Sequence, residues 1–123
     1  MVETAREALG SPDGATLLDL YCGVGALGLA LGQGYAQVIG IDTTPSAIET
    51  ARTNAAAAGR SGTWHVGEVE RLLPTIPLAG AIHVLVDPPR VGLHPRAANF
   101  LAELQADTLI YVRSEEHTSE LQS

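Results

Sequence analysis

Four short segments carry the residue types from which chemistry could be built. The first, Asp19-Leu20-Tyr21-Cys22-Gly23-Val24-Gly25-Ala26-Leu27-Gly28, contains a GxGxxG spacing. Glycines there allow a sharp turn in which a ligand lies against bare backbone, and Gly28 allows a helix and a strand to pack closely. The same spacing occurs in nicotinamide and flavin enzymes, and in turns that hold no ligand. The second segment, Gly40-Ile41-Asp42, follows at the distance where a carboxylate can accept hydrogen bonds from a ribose. Its other reading is a helix cap, because Thr43, Thr44 and Pro45 come next. In the third, His65-Val66-Gly67-Glu68, the carboxylate of Glu68 could reach the exocyclic amine of an adenine or stand in solvent. The fourth, Asp87-Pro88-Pro89-Arg90-Val91-Gly92, ends an apolar run with an acid and two prolines, which fix a rigid turn. The bland alternative is an ordinary strand-ending turn, but the carboxyl edge of a parallel sheet is where α/β enzymes bind their substrates.

Charge separates the adenosine ligands that such segments could hold. A dinucleotide brings a pyrophosphate to the helix N-terminus, whereas S-adenosylmethionine (SAM) brings a sulfonium and an amino-acid end. Asp19, just before the glycine turn, suits the cationic amino group of SAM and is unhelpful to a pyrophosphate. The expected cofactor is therefore SAM, with a nicotinamide-dependent oxidoreductase as a competing reading. The residues expected to hold it are Asp19, Tyr21, Gly23, Gly25, Asp42, Glu68 and Asp87, with Asp87 at the boundary with the substrate.

The elements that must position these residues alternate regularly. Apolar runs bounded by turn residues predict strands at Thr16–Tyr21, Gln37–Asp42, Thr63–Val66, Ala81–Asp87 and Thr108–Val112. Nearly all lack polar alternation, as strands covered on both faces do. Helices are predicted at Gly25–Gly32, Pro45–Ala58, Val69–Leu73 and Pro95–Leu104. The second of these has Thr44 as a cap, Pro45 at its first position and Gly59 as its stop. Strand–helix alternation predicts an α/β domain with a parallel sheet over residues 1–112.

Composition bounds the function. The chain has 123 residues, 46% of them hydrophobic and 17% charged, enough for one core. No stretch reaches the ~20 apolar residues of a membrane span, and MVETAREALG lacks the apolar centre of a signal peptide. A cytoplasmic protein without membrane partners is expected. The single cysteine, Cys22, excludes an internal disulfide and a protein-only zinc or iron–sulfur site, so no metal is expected. A net charge of −7 with no lysine is a poor footprint for nucleic acid. If RNA is the substrate, the basic surface must belong to other parts of a longer protein.

Taken together, DLYCGVGALGL at Asp19–Leu29, GID at Gly40–Asp42 and DPPRVGLHP at Asp87–Pro95 resemble the SAM-dependent RNA uracil-5 methyltransferases. The resemblance runs from about Val2 to Val112 and implies a Rossmann-like class I methyltransferase fold whose sheet is truncated after the fifth strand. Another class I methyltransferase is the nearest alternative. The resemblance also implies a transfer or ribosomal RNA partner for the parent protein and none for this fragment. In that family a cysteine adds to carbon 6 of uracil, making carbon 5 nucleophilic toward the SAM methyl, and a carboxylate base then removes the carbon 5 proton. The cysteine follows a strand ending in YV. Here Ile110-Tyr111-Val112 is followed by RSEEHTSELQS, which matches one reading frame of a widely used sequencing adapter. Residues 113–123 are accordingly expected to be a non-native tail. No catalytic residue is retained on this reading, because the nucleophile and the general base are both missing; the resemblance leaves Asp87 and Arg90 on the substrate side, and the chain is expected to be an inactive, SAM-binding fragment.

Overall fold

The computed structural model of the chain describes residues 2–112, and the expected tail at 113–123 lies outside the described residues. The described residues form helix α1 (Val2–Leu9), strand β1 (Thr16–Leu20), α2 (Ala26–Leu31), β2 (Gln37–Asp42), α3 (Pro45–Ala57), β3 (Thr63–Val66) and α4 (Val69–Leu72), which runs into a short 3-10 turn at Leu73–Thr75. They continue through β4 (Ile82–Val86), α5 (Pro95–Leu104) and β5 (Thr108–Tyr111). The five predicted strands are all present, each within a residue of its expected limits.

The strands make one sheet in the order β3-β2-β1-β4-β5, every pair parallel. Strand order reverses between β1 and β4, so the crevice outside their carboxyl ends is the place where a doubly wound sheet takes a ligand. Two apolar layers enclose the sheet. On one face Leu18, Leu20, Ile39, Ile41, Val84 and Val86 pack with Val69, Leu73, Ala97 and Leu101 of the second half. On the other, Leu17, Val38, Trp64 and Leu85 pack with Ala5 and Leu9 of α1, Leu31 of α2, and Ile48, Ala51 and Ala55 of α3.

One element was not expected, and two expectations need correction. Helix α1 had no counterpart in the sequence reading. It is one apolar contact per turn, Ala5 then Leu9, on a segment of good helix formers, and it is tied down by Arg6 Nη2 donating to the carbonyl of Ala30 at 3.0 Å. Thr44 sits at the N-cap of α3 but makes no side-chain cap bond; Asp42 Oδ1 accepts the Thr44 N–H instead, at 2.9 Å. The outer strands are not sealed on both faces as β1 and β4 are: along β5 half-buried and exposed positions alternate, with Leu109 and Tyr111 exposed. Gly59 does end α3. Its φ is +68°, and the N–H groups of Gly59 and Arg60 close back on the carbonyls of Ala56 and Ala55, a Schellman ending. No helix among the described residues is long and apolar enough to cross a membrane.

Candidate cofactor site

The site begins where β1 stops. Leu20 is the last strand residue, in register with Ile41 of β2 and Val86 of β4. Tyr21 then turns out of the sheet with φ +60°, a left-handed conformation that side chains rarely adopt. The loop closes with Gly25 N donating to the Cys22 carbonyl at 2.9 Å, and Gly25, at φ +81°, starts α2.

Two carboxylates hold this loop from below and from the side. Asp19 is 3% exposed, and its Oδ2 accepts the Gly28 N–H at 3.0 Å. A Cβ on Gly28 would stand 2.5 Å from that oxygen, which is why the third glycine of the spacing is required: it lets α2 lie on β1 with a carboxylate between them. Asp42 Oδ2 accepts the Gly23 N–H at 2.8 Å while its Oδ1 holds Thr44. Asp42 is thus at once a clamp on the glycine loop and the anchor of the turn into α3. Both readings of it, ribose acceptor and turn former, are geometrically compatible, since each carboxylate oxygen has a second lone pair.

Burial pushes the Asp19 carboxyl up to about 7, opposed by the Gly28 N–H and reinforced by the charges of Asp87 and Asp42. Asp19, Asp42 and Asp87 are therefore close enough to feel one another at the ends of three adjacent strands, and no arginine contributes to that balance. The field over the loop is negative. Burial, and then the same Asp19 and Asp42 charges, push the Cys22 thiol up to about 12. Cys22 is a protonated packing residue, not a nucleophile.

Beside the loop is a cleft of about 390 Å³, lined among others by Tyr21, Thr43, Glu68, Pro89, Val91 and His94. It brings the predicted Tyr21 and Glu68 together. Glu68 is half exposed at the start of α4, with Oε1 3.9 Å from Arg71 Nη1, a pair that leaves it free to turn toward the cleft. Asp19, Gly23, Gly25, Asp42 and Asp87 form the adjoining loop cluster rather than the cleft wall, and Asp87 N continues the ladder to the Leu20 carbonyl at 3.2 Å. Arg90 is exposed on the turn closed by Gly92 N donating to the Pro89 carbonyl at 2.8 Å, outside the cleft lining. Thr43, Val91 and His94 were not anticipated. Only their proximity to motif residues could have suggested them.

A cofactor like SAM fits what is present. The loop offers glycine backbone at its surface, the three acids suit a cation, and the neighbouring cleft is apolar with Glu68 and Glu70 at one wall. A pyrophosphate fits poorly, because Asp42 already occupies the Gly23 N–H and the carboxylates would repel it.

Comparisons with known proteins agree with this fold. Residues 17–104 match the family model described as methyltransferase domain. An uncharacterized RNA methyltransferase of Caldanaerobacter subterraneus subsp. tengcongensis is 36% identical over 110 residues, covering 89% of this chain and 24% of the relative. One of Nanoarchaeum equitans is 31% identical over 118 residues, covering 96% of this chain and 26% of the relative. The chain thus spans about a quarter of the length of these curated relatives. Among solved structures, the Pyrococcus abyssi tRNA (uracil-54, C5)-methyltransferase in complex with S-adenosyl-L-homocysteine superposes with a TM-score of 0.74 at 32% identity, over 89% of this chain and 26% of that one. The C-terminal domain of a Rhodobacter capsulatus precorrin-6Y C5,15-methyltransferase, at 22% identity and a TM-score of 0.69, shares the fold. With a Rossmann-like sheet, an acid-clamped glycine loop and a family match over most of its length, this chain belongs to the methyltransferase domain family.

Proposed function

We propose that residues 1–112 are the SAM-binding part of an RNA uracil-5 methyltransferase, and that the 123-residue chain binds SAM without transferring its methyl group to uridine. The observation that carries the cofactor reading is the convergence of Asp19, Asp42 and Asp87 on one glycine loop. Bound SAM supplies an electrophilic methyl on a sulfonium. The chain's residues bind and orient it: Gly23 gives backbone surface, the buried Gly25 turns the loop beneath it, Asp42 accepts from the ribose, Asp19 and Asp87 offset positive charge, and Tyr21 and Glu68 border the adenine side. Asp87 and Arg90 face the substrate.

Uracil-5 specificity is supported by DLYCGVG and DPPR, and by the 32% identity to an enzyme whose name specifies that chemistry. The RNA surface belongs to the longer protein, which works in the cytoplasm on transfer or ribosomal RNA. Inactivity follows from the inventory of nucleophiles. Cys22 is the only cysteine, its thiol is held protonated, and RSEEHTSELQS after Val112 supplies none.

Calorimetry with S-adenosylhomocysteine (SAH) and with NAD tests the cofactor. SAH is expected to bind and NAD is not; the reverse order would replace the methyltransferase reading with an oxidoreductase. Incubation with radiolabelled SAM and unmodified RNA is expected to give no 5-methyluridine above a protein-free control. Product above that level would mean that a nucleophile has been overlooked.

A further inference from the structure

The chain's only tryptophan lies directly under the glycine loop, in a place the motifs do not mark. Trp64 of β3 pairs in register with Gly40 of β2, is 5% exposed, and lays its indole across the space that Gly40 leaves open. A Cβ on Gly40 would overlap the ring and come within 3.0 Å of Cys22 Sγ. The ring continues to the loop itself. A Cβ on Gly25 would be 3.2 Å from Cζ3 and 3.3 Å from Cη2 of Trp64, and 3.1 Å from the Ala51 Cβ of α3. The backbone of Trp64 is held by Arg52 Nη2, which donates to its carbonyl oxygen at 2.7 Å.

Packing alone is a weak reason for an indole at this position. Its Nε1–H is buried without a hydrogen-bond partner among the described residues, a cost that phenylalanine would avoid. Phenylalanine would still cover Gly40, but its smaller ring does not extend to the positions of Cζ3 and Cη2, the two atoms that reach Gly25. What tryptophan adds is therefore reach toward the loop.

We infer that Trp64 is a positioning residue for the cofactor: its indole is the floor that sets the height of the buried Gly25 and so of the more exposed Gly23 and Val24 of the same loop, on which the ligand lies. The inference rests on the SAM reading above. The ring touches the loop and not the ligand, so its effect passes through Gly25.

Two measurements test it. Trp64→Phe is expected to stay folded, with its urea midpoint lowered by no more than truncation of a buried ring costs, yet to bind SAH about tenfold more weakly when affinity is measured in buffer without urea, where the variant is fully folded, a loss that a purely structural role would not give. Wild-type affinity in the folded variant would overturn the inference and leave the SAM reading intact. Because Trp64 is the only tryptophan, its emission in the wild-type chain reports on the loop whether or not the variant folds. SAH at concentrations that calorimetry shows to be saturating is expected to change the intensity or wavelength of that emission; an unchanged spectrum would overturn the inference. Absence of SAH binding to the wild-type chain would overturn both it and the cofactor reading.

Discussion

At the residue scale, Asp42 and Asp19 do different work with the same functional group. Asp42 holds two backbone N–H groups from opposite sides, one in the glycine loop and one before α3. Asp42→Ala frees both and removes the acceptor proposed for the ribose, so SAH affinity is expected to fall by roughly 1–3 kcal/mol, the worth of hydrogen bonds to a charged group. Calorimetry giving equal affinity would take Asp42 out of the site. Asp19 is instead a carboxylate that burial disfavours. Its value rises from 3.8 to about 7, so between those values the folded chain keeps a proton that the unfolded chain has released. Stability then falls as pH climbs through that window; below it Asp19 carries no penalty, and above it the penalty is complete. Asp19→Asn can still accept from Gly28 but has no charge to bury. Its advantage over the wild type in urea midpoint is expected to grow from about pH 5 to about pH 8, and parallel pH profiles would show that Asp19 is not perturbed.

The β1–loop–α2 unit is the element on which the site depends, and its tolerance is set by space. At Gly28 no room exists for a methyl group, since it would meet the Asp19 carboxylate that the helix rests on. Gly28→Ala is expected to destabilise by about 1–3 kcal/mol, the usual range for overpacking, measured as a lowered urea midpoint. An unchanged midpoint would mean that α2 can lift from β1 freely. Strand β5 has the opposite problem. Leu109 and Tyr111 are 42% and 56% exposed at the margin of the sheet, and an apolar edge of this kind invites pairing with another chain.

For the whole molecule, charge and length point the same way. The chain is acidic, with net charge −7, and spans about a quarter of its relatives' length; on the function proposed above it carries the cofactor part of the site, and RNA recognition is assigned to segments outside it. The reading of residues 113–123 as translated adapter has a physical consequence: side chains that were never selected to pack should add nothing to the core. Deleting them is expected to leave stability within about 1 kcal/mol of the full chain, less than a typical point mutation. A larger drop in the urea midpoint would place the native boundary further along the chain.

The sequence by itself determined the five strands, the loop, and the positions of Asp19, Asp42 and Asp87, because these depend on local signals: apolar runs, glycines at turns, prolines after strands. Tertiary structure decided what no local window contains. Helix α1 is held by contacts with α2 and the sheet, Thr44 lost its capping role to a carboxylate two residues away, and the outer strands gained exposed faces only once the strand order was set. Trp64 and Gly25 are 39 positions apart in the numbering, and only the parallel pairing of β3 with β2 brings the indole beneath the loop. A contact of that kind arises from the side chain's length and the neighbour's missing Cβ, two features that become complementary only in three dimensions.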